Sequence, residues 1–337
     1  MIDEIDSSIV KNAVANVLPN FQISNIEPLC GDASTRRYYR IRNHSINTLA
    51  VMVAANAEAV EWFQEISGLM KILCVDTPKF IGLYKQCAVL EDLGDEMLQN
   101  RMAGAGEDDY RREYTPILAD LAEFQEKSAP KPKNHMKCYG VLFDLEKLMW
   151  EVEFSNNHFL TNNLDLPPND HYLKKLGQEW TKLCEDISAT APTLTHRDLH
   201  SRNIMMHDGR RVWIDYQDAR MGRIEYDLAS LLYDPYVNMP QGIRDELATG
   251  FFSLTVKGNR YSENSSKLLN LSAAQRLYKA LGTYGYQTHV NKSYLYLQYI
   301  PVACRSLLYV LKKENALRRL YDLMAPALEP FADSNRD

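Results

Sequence analysis

The run His196-Arg197-Asp198-Leu199-His200-Ser201-Arg202-Asn203, with Ile214-Asp215 downstream, constrains this chain more than any other feature. Ile204-Met205-Met206 and Arg211-Val212-Trp213-Ile214 are short apolar runs flanking Asp208-Gly209. Asp-Gly between two such runs predicts a two-residue type I′ hairpin. In that register His207 faces Arg210, Met205 faces Val212 and Asn203 faces Ile214. Asn203 and Asp215 then emerge at the same open end, with Asp198 on the loop leading in. This is the chemistry of phosphoryl transfer. Asp198 can accept a proton from a substrate hydroxyl, while Asn203 and Asp215 can hold Mg²⁺ against ATP phosphates. A polar loop whose Asp and Asn merely bond the backbone explains less, because each fixed position of the motif is matched.

The N-terminal part is rich in predicted strands. A short amphipathic helix at 6–18 precedes strands at 21–29 and 37–42, around the loop 31–36. A third strand at 48–53, a helix at 57–73 and short strands at 80–83 and 88–90 follow. A flexible loop is expected at 103–109, then a helix starting at Thr115-Pro116, where proline suits the first position. Helices at 145–160, 172–188, 243–254, 273–286 and 302–312 make the remainder helical. No internal repeat and no interdomain linker is visible, and residues 333–337 are expected to fray. The implied division is an N-lobe at 1–92 and a C-lobe at 93–337.

The motif from His196 to Asp215 resembles the aminoglycoside phosphotransferase family, a small-molecule branch of the protein-kinase-like fold. Ile214-Asp215-Tyr216-Gln217 stands where a protein kinase has Asp-Phe-Gly, and no Ala-Pro-Glu follows. Tyr226-Asp227-Leu228-Ala229-Ser230-Leu231-Leu232 also looks like this family. The stretches 31–40, 90–95, 214–219, 275–282 and 299–301 are similar to the bacterial anomeric kinases of N-acetylmuramate and N-acetylglucosamine. The likeness runs from about residue 20 to about residue 310. It implies a bilobal α+β fold with a small β-rich N-lobe, a larger helical C-lobe and a hinge at 91–95. It implies ATP and Mg²⁺ as cofactors. The implied reaction puts phosphate on the C1 hydroxyl of a sugar used in cell-wall recycling.

On this resemblance Asp198 is the catalytic base, Asn203 and Asp215 are the metal ligands, and His196 and Asp227 brace the loop. His200 packs the loop or touches substrate. Ser34, Thr35 and Arg36, with Glu91 and Leu93, are the nucleotide-binding candidates; backbone N–H groups of the loop 30–36 can cradle phosphates. The family usually places a lysine on the third strand, paired with a helix glutamate such as Glu61 or Glu65. Here that strand reads Leu49-Ala50-Val51-Met52-Val53; Arg36, Arg37 or Arg40 could supply the cation from the neighbouring strand, or the chain has lost catalysis. Sugar sites combine aromatic faces with polar side chains. Trp150, Glu151, Asp234, Asn238, Gln275 and Arg276 are the acceptor candidates, and Arg276 could meet a lactyl carboxylate.

Composition sets outer bounds. The 337 residues suffice for two lobes with an ample core. A net charge of −6 gives no basic footprint for nucleic acid. No apolar run approaches the length that spans a bilayer, and the acidic N-terminus lacks a signal-like apolar region. The six cysteines are scattered without metal or redox spacing, as in a reduced cytoplasmic protein. A monomer with a small-molecule partner is the expectation. Two alternatives stay open: a kinase of another hydroxyl compound, such as an aminoglycoside or amino alcohol, and a nucleotide-binding pseudokinase.

Overall fold

The computed structural model describes residues 4–29, 36–45, 47–129, 137–161, 169–188, 193–256 and 264–333. The chain packs as two units. One holds residues 1–98 together with 203–217, and the other holds 99–202 and 218–337. A single cut at 92/93 does not describe this grouping, because the hairpin at 203–217 returns to the first unit.

In the first unit, helix α1 (Glu4–Val17) precedes strands β1 (Ile23–Leu29), β2 (Arg37–Asn43) and β3 (Thr48–Val53). Helix α2 (Ala57–Ile72) and strands β4 (Phe80–Tyr84) and β5 (Cys87–Glu91) follow. The strands form one antiparallel sheet in the order β1-β2-β3-β5-β4. Strand alternation sends Tyr39, Ile41, Leu49, Val51, Val53 and Val89 to one face, where they pack with Val10, Ala13 and Val14 of α1. The start of α2 is capped by Asn56, whose side chain accepts the Ala59 N–H at 2.9 Å.

Strands β7 (Ile204–His207) and β8 (Arg210–Trp213) belong to the same unit. Met205 and Val212 join Leu93 in a small buried apolar cluster against Met97. The Met206 N–H donates to Glu96 O and the Trp213 N–H to Asp76 O, each at 2.8 Å.

The second unit is mostly helical. Its elements are α3 (Leu98–Arg101), which begins on the last residue of the first unit, α4 (Glu107–Ser128), α5 (Leu145–Ser155), α6 (Asp170–Ser188), α7 (Ile224–Leu232), α8 (Gln241–Val256), α9 (Ser265–His289), α10 (Ile300–Lys313) and α11 (Arg318–Ala332). Two three-residue strands, β6 (Thr193–Thr195) and β9 (Arg220–Gly222), pair antiparallel. The long buried helix α9 is the axis of this unit. Added Cβ atoms at Gly282 and Gly285 would come within 2.3 Å of Ser155 Oγ and 2.2 Å of the His158 carbonyl. These glycines therefore let α5, and the π-helical turn Asn156–Leu160 that continues it, lie directly on α9.

Several sequence expectations need correction. Pro116 lies inside α4 and does not start it. Glu107, Asp108 and Asp109 favour the positive end of the helix dipole, and the Asp109 carboxylate accepts the Gly106 N–H at 2.9 Å. The expected loop 103–109 is correspondingly shorter. Helix α9 extends beyond both ends of the expected 273–286. Helix α11, with Pro326 and Pro330 inside it, has no counterpart among the expected helices. Of the cysteines, Cys87, Cys138, Cys184 and Cys304 are buried and Cys74 is exposed. No helix among the described residues is long and apolar enough to cross a membrane.

Candidate active site

The hairpin has the register its sequence predicts. Met205 pairs with Val212 and His207 with Arg210, and the Ile214 N–H donates to Asn203 O at 3.0 Å. Asp208 and Gly209 both have positive φ, as a type I′ turn requires. Asn203 and Asp215 thus leave the same end. Asp215 also has positive φ, a left-handed conformation that aspartate tolerates better than most side chains. The residues after it are anchored on α2. Tyr216 stacks on Phe63 and shares a 2.7 Å hydrogen bond with Ser67, and the Trp62 indole donates to Gln217 O at 2.8 Å. The Gln217 amide donates to Asp215 Oδ1 at 2.7 Å, and the Arg36 guanidinium stands 3.9 Å from the same oxygen. The Asp215 side chain keeps 46% of its surface exposed. Burial, with the Asp215 charge behind it, pushes the Tyr38 phenol up.

These contacts separate the three candidate arginines. Met52 is completely buried and pairs across the sheet with Tyr38. Arg37 donates twice to Asp6. Arg40 donates to Asp92 at 2.7 Å, to Asp95 at 2.9 Å and to Gly94 O at 2.9 Å. Burial alone would raise the Asp92 carboxyl; the hydrogen bond from Arg40 helps carry it below the usual range. Arg36 is the one of the three that faces Asp215. Glu61 is exposed. The Glu91 side chain is engaged by Lys79 and Arg210, and Leu93 is packed in the apolar cluster. Ser34, Thr35 and most of the loop 30–36 lie outside the described residues.

In the second unit, loop 196–202 is held from α7. The Asp227 carboxylate accepts the His196 and Arg197 amides at 2.7 and 2.8 Å. Arg197 has positive φ, a costly conformation for a residue with a Cβ, and the Asp227 bond helps hold it there. Burial raises the Asp227 carboxyl despite these donors. His196 is wholly buried and its Nδ1 accepts the Asp198 N–H at 3.4 Å. Asp234 accepts the amides of Ser201 and Tyr236 at 2.8 and 2.9 Å. Burial lowers the His200 imidazole well below its ordinary range, and its ring packs edge-on to Tyr236.

Asp198 is surrounded by cations. Lys279 donates to its Oδ1 at 2.9 Å, and Arg276 stands 3.4 Å from the same oxygen. Burial works to raise this carboxyl, but the charges of Lys279, Arg276 and Arg197 together hold it well below the usual carboxylate range. Glu151 is a buried hub behind this pair. It binds Arg197 at 2.7 Å and accepts the Gln275 amide at 3.0 Å, while Lys279 lies 3.7 Å away. Gln275 in turn accepts the Tyr226 hydroxyl at 3.0 Å.

The acceptor candidates therefore divide. Glu151, Gln275 and Arg276 join the network around Asp198, and Asp234 braces the loop. Trp150 stands outside it, 53% exposed, its ring against Lys147 and Phe154. Asn238 is exposed as well. Lys279 is absent from the sequence candidates. The signal that could have found it is its spacing from Arg276, three residues apart and so on one face of α9. Among the described residues, no group of three or more His, Cys, Asp or Glu side chains could hold a metal ion. Asn203 and Asp215 are hard oxygen donors that suit Mg²⁺ when phosphate and water complete its shell.

The chain is similar to the N-acetylmuramate/N-acetylglucosamine kinase of Pseudomonas aeruginosa, 23% identical over 333 residues that span 95% of this chain and 94% of that one. The enzyme of the same description from Pseudomonas putida is 24% identical over 303 residues, 87% of this chain and 86% of that one. Among solved structures, amicoumacin kinase hAmiN in complex with AMP-PNP, Ca²⁺ and Ami superposes with a TM-score of 0.62 at 12% identity, covering 93% of this chain and 94% of that one. That likeness shows the shared fold, the bilobal kinase-like α+β arrangement expected from the sequence. Residues 25–255 match the phosphotransferase enzyme family, APH, and with well over half its length matched the chain belongs to that family, as a kinase acting on a hydroxyl acceptor.

Proposed function

We propose that this enzyme uses Mg²⁺ and ATP to phosphorylate the anomeric C1 hydroxyl of N-acetylmuramate, N-acetylglucosamine or both. The reading is carried by two features, one in each unit. One hairpin end displays Asn203 and Asp215, and one loop holds Asp198 ionised by Lys279 and Arg276. The names of the Pseudomonas relatives, which align over most of their length, supply the sugar.

Asp198 orients the acceptor hydroxyl and takes its proton as the bond to phosphorus forms. Its low basicity suits a loose transition state, in which positioning and charge matter more than early proton removal. Asn203 and Asp215 would hold Mg²⁺, which when bound offsets phosphate charge. Arg36, facing Asp215, is the cation that stands in for the third-strand lysine. This cation and the complete set Asp198, Asn203 and Asp215 favour an active kinase over a pseudokinase.

The test is Mg-ATP turnover against N-acetylmuramate, N-acetylglucosamine, an aminoglycoside and choline, with phosphorus NMR of the product. Phosphate on C1 of an N-acetyl hexosamine is the expected result. Turnover on the aminoglycoside or choline alone would replace the sugar reading.

A further inference from the structure

Lys279 is not among the residues that the sequence singled out, and its contact with Asp198 does more than neutralise charge. It reaches from α9, with 16% of its side chain exposed, and its ammonium lies between Asp198 Oδ1 at 2.9 Å and Glu151 Oε1 at 3.7 Å. We infer that Lys279 is a positioning residue for phosphoryl transfer, held by Glu151 so that it fixes the Asp198 carboxylate where the acceptor hydroxyl must dock. The inference rests on the reading of Asp198 as the acceptor-side carboxylate.

A lysine side chain is usually mobile on its four-carbon stem. Here the stem ends between two carboxylates, one of which is buried and bonded on both oxygens. Glu151 is 3% exposed and tied to Arg197 and Gln275. Arg276 shares the same Asp198 oxygen and is fixed in turn by donating to Ser230 Oγ at 3.1 Å. Two cations on one oxygen restrain where that oxygen sits. The Asp198 side chain retains 29% exposure, so it can still meet a ligand.

Fold stability alone does not account for Lys279. Glu151 already has Arg197 as its ion-pair partner, and adding a second buried cation carries a desolvation penalty. The arrangement instead follows from the need to keep Asp198 ionised and oriented. The charged and titratable groups facing Asp198 include Lys279 and Arg276 from α9, Arg197 and His200 from its own loop, and Tyr226 and Asp227 from α7. Without Lys279, Arg276 and Arg197 remain as cations and Asp227 still repels.

The experiment compares wild type with Lys279→Met, Lys279→Gln, Lys279→Arg and Asp198→Asn, using N-acetylglucosamine as acceptor. Thermal melts, kcat, KM for each substrate and the pH profile of kcat/KM are read together. The two neutral variants are expected to fold and keep their KM for ATP. Their kcat should fall about a hundredfold, the scale of a reacting group misplaced by about an ångström. Their acid limb should move up by about one to three pH units, as for a carboxyl that loses a close opposite charge. Lys279→Arg should return the acid limb to its wild-type place and recover part of kcat. Neutral variants with wild-type kcat, with an unmoved acid limb, or with no stable fold would each overturn the inference. Asp198→Asn at wild-type turnover would overturn the assignment of Asp198 itself. A dead Asp198→Asn beside an unaffected Lys279→Met would overturn only the role of Lys279.

Discussion

The Asp227 carboxylate accepts the amide of Arg197 at 2.8 Å and so fixes a residue held in the left-handed region of backbone space. Its other oxygen takes the His196 amide, so both oxygens are engaged by the backbone of the loop that carries Asp198. Asp227→Asn leaves one acceptor oxygen and turns an N–H₂ toward a second N–H. About 2 kcal/mol of stability should be lost, with kcat falling and the KM for ATP held. Thermal denaturation and steady-state kinetics on one preparation check this; an unchanged melting temperature would show that the loop keeps its shape without the second acceptor.

Asp215→Ala removes the carboxylate that Gln217 and Arg36 face. The expected result is a steep rise in the Mg²⁺ and ATP concentrations needed for half-maximal rate, while the hairpin stays folded through the Met205–Val212 pairing. Metal titrations of activity at fixed ATP, beside circular dichroism, give the answer. Equal metal dependence in the two proteins would remove Asp215 from the metal site.

Arg36 and Arg40 should separate cleanly. Arg36→Met is expected to raise the KM for ATP with little change in melting temperature. Arg40→Met leaves Asp92 buried without its partner and should cost about 3–5 kcal/mol. Nucleotide titrations and chemical denaturation of both variants would show the opposite pattern if Arg40 were the nucleotide-binding cation.

Asp6 links α1 to β2, and the Arg37 hydrogen bonds hold its carboxyl below the usual range against the effect of burial. A depressed carboxyl adds stability above its unfolded value near pH 4, and that contribution is lost as pH falls through the lower folded value. Asp6→Asn should therefore be less stable than wild type by about 2 kcal/mol at pH 7, with the gap closing toward pH 2. Denaturant midpoints across that range test it; a gap of constant size would mean that Asp6 acts through shape and not through charge.

What the sequence disclosed was local. Asp208-Gly209 and the alternation around it specify the hairpin register without help from the rest of the chain. The Thr48–Val53 strand is continuous apolar sequence and its limits are sharp. The start of α4 is hidden because Pro116 offers a plausible first position, and only the three preceding acidic residues reveal the earlier one. Helix α11 is obscured by two prolines, and β6 and β9 are too short to show a period of two. Lys279 is illegible for another reason. Its partner Asp198 is 81 residues away, and a buried helix surface gives no chemical signal until that partner is packed against it.

The return of residues 203–217 to the first unit has a consequence for synthesis. A nascent chain that has emerged as far as Leu98 contains all five strands of the sheet, yet Leu93 and Met97 still lack the side chains that cover them. Those side chains, Met205 and Val212, leave the ribosome only after residues 99–202 have been made. The first unit is thus finished from a later part of the message. A stop codon placed between positions 98 and 204 would release a protein with an uncovered apolar patch, and the two units cannot be expressed as consecutive fragments without dividing one of them.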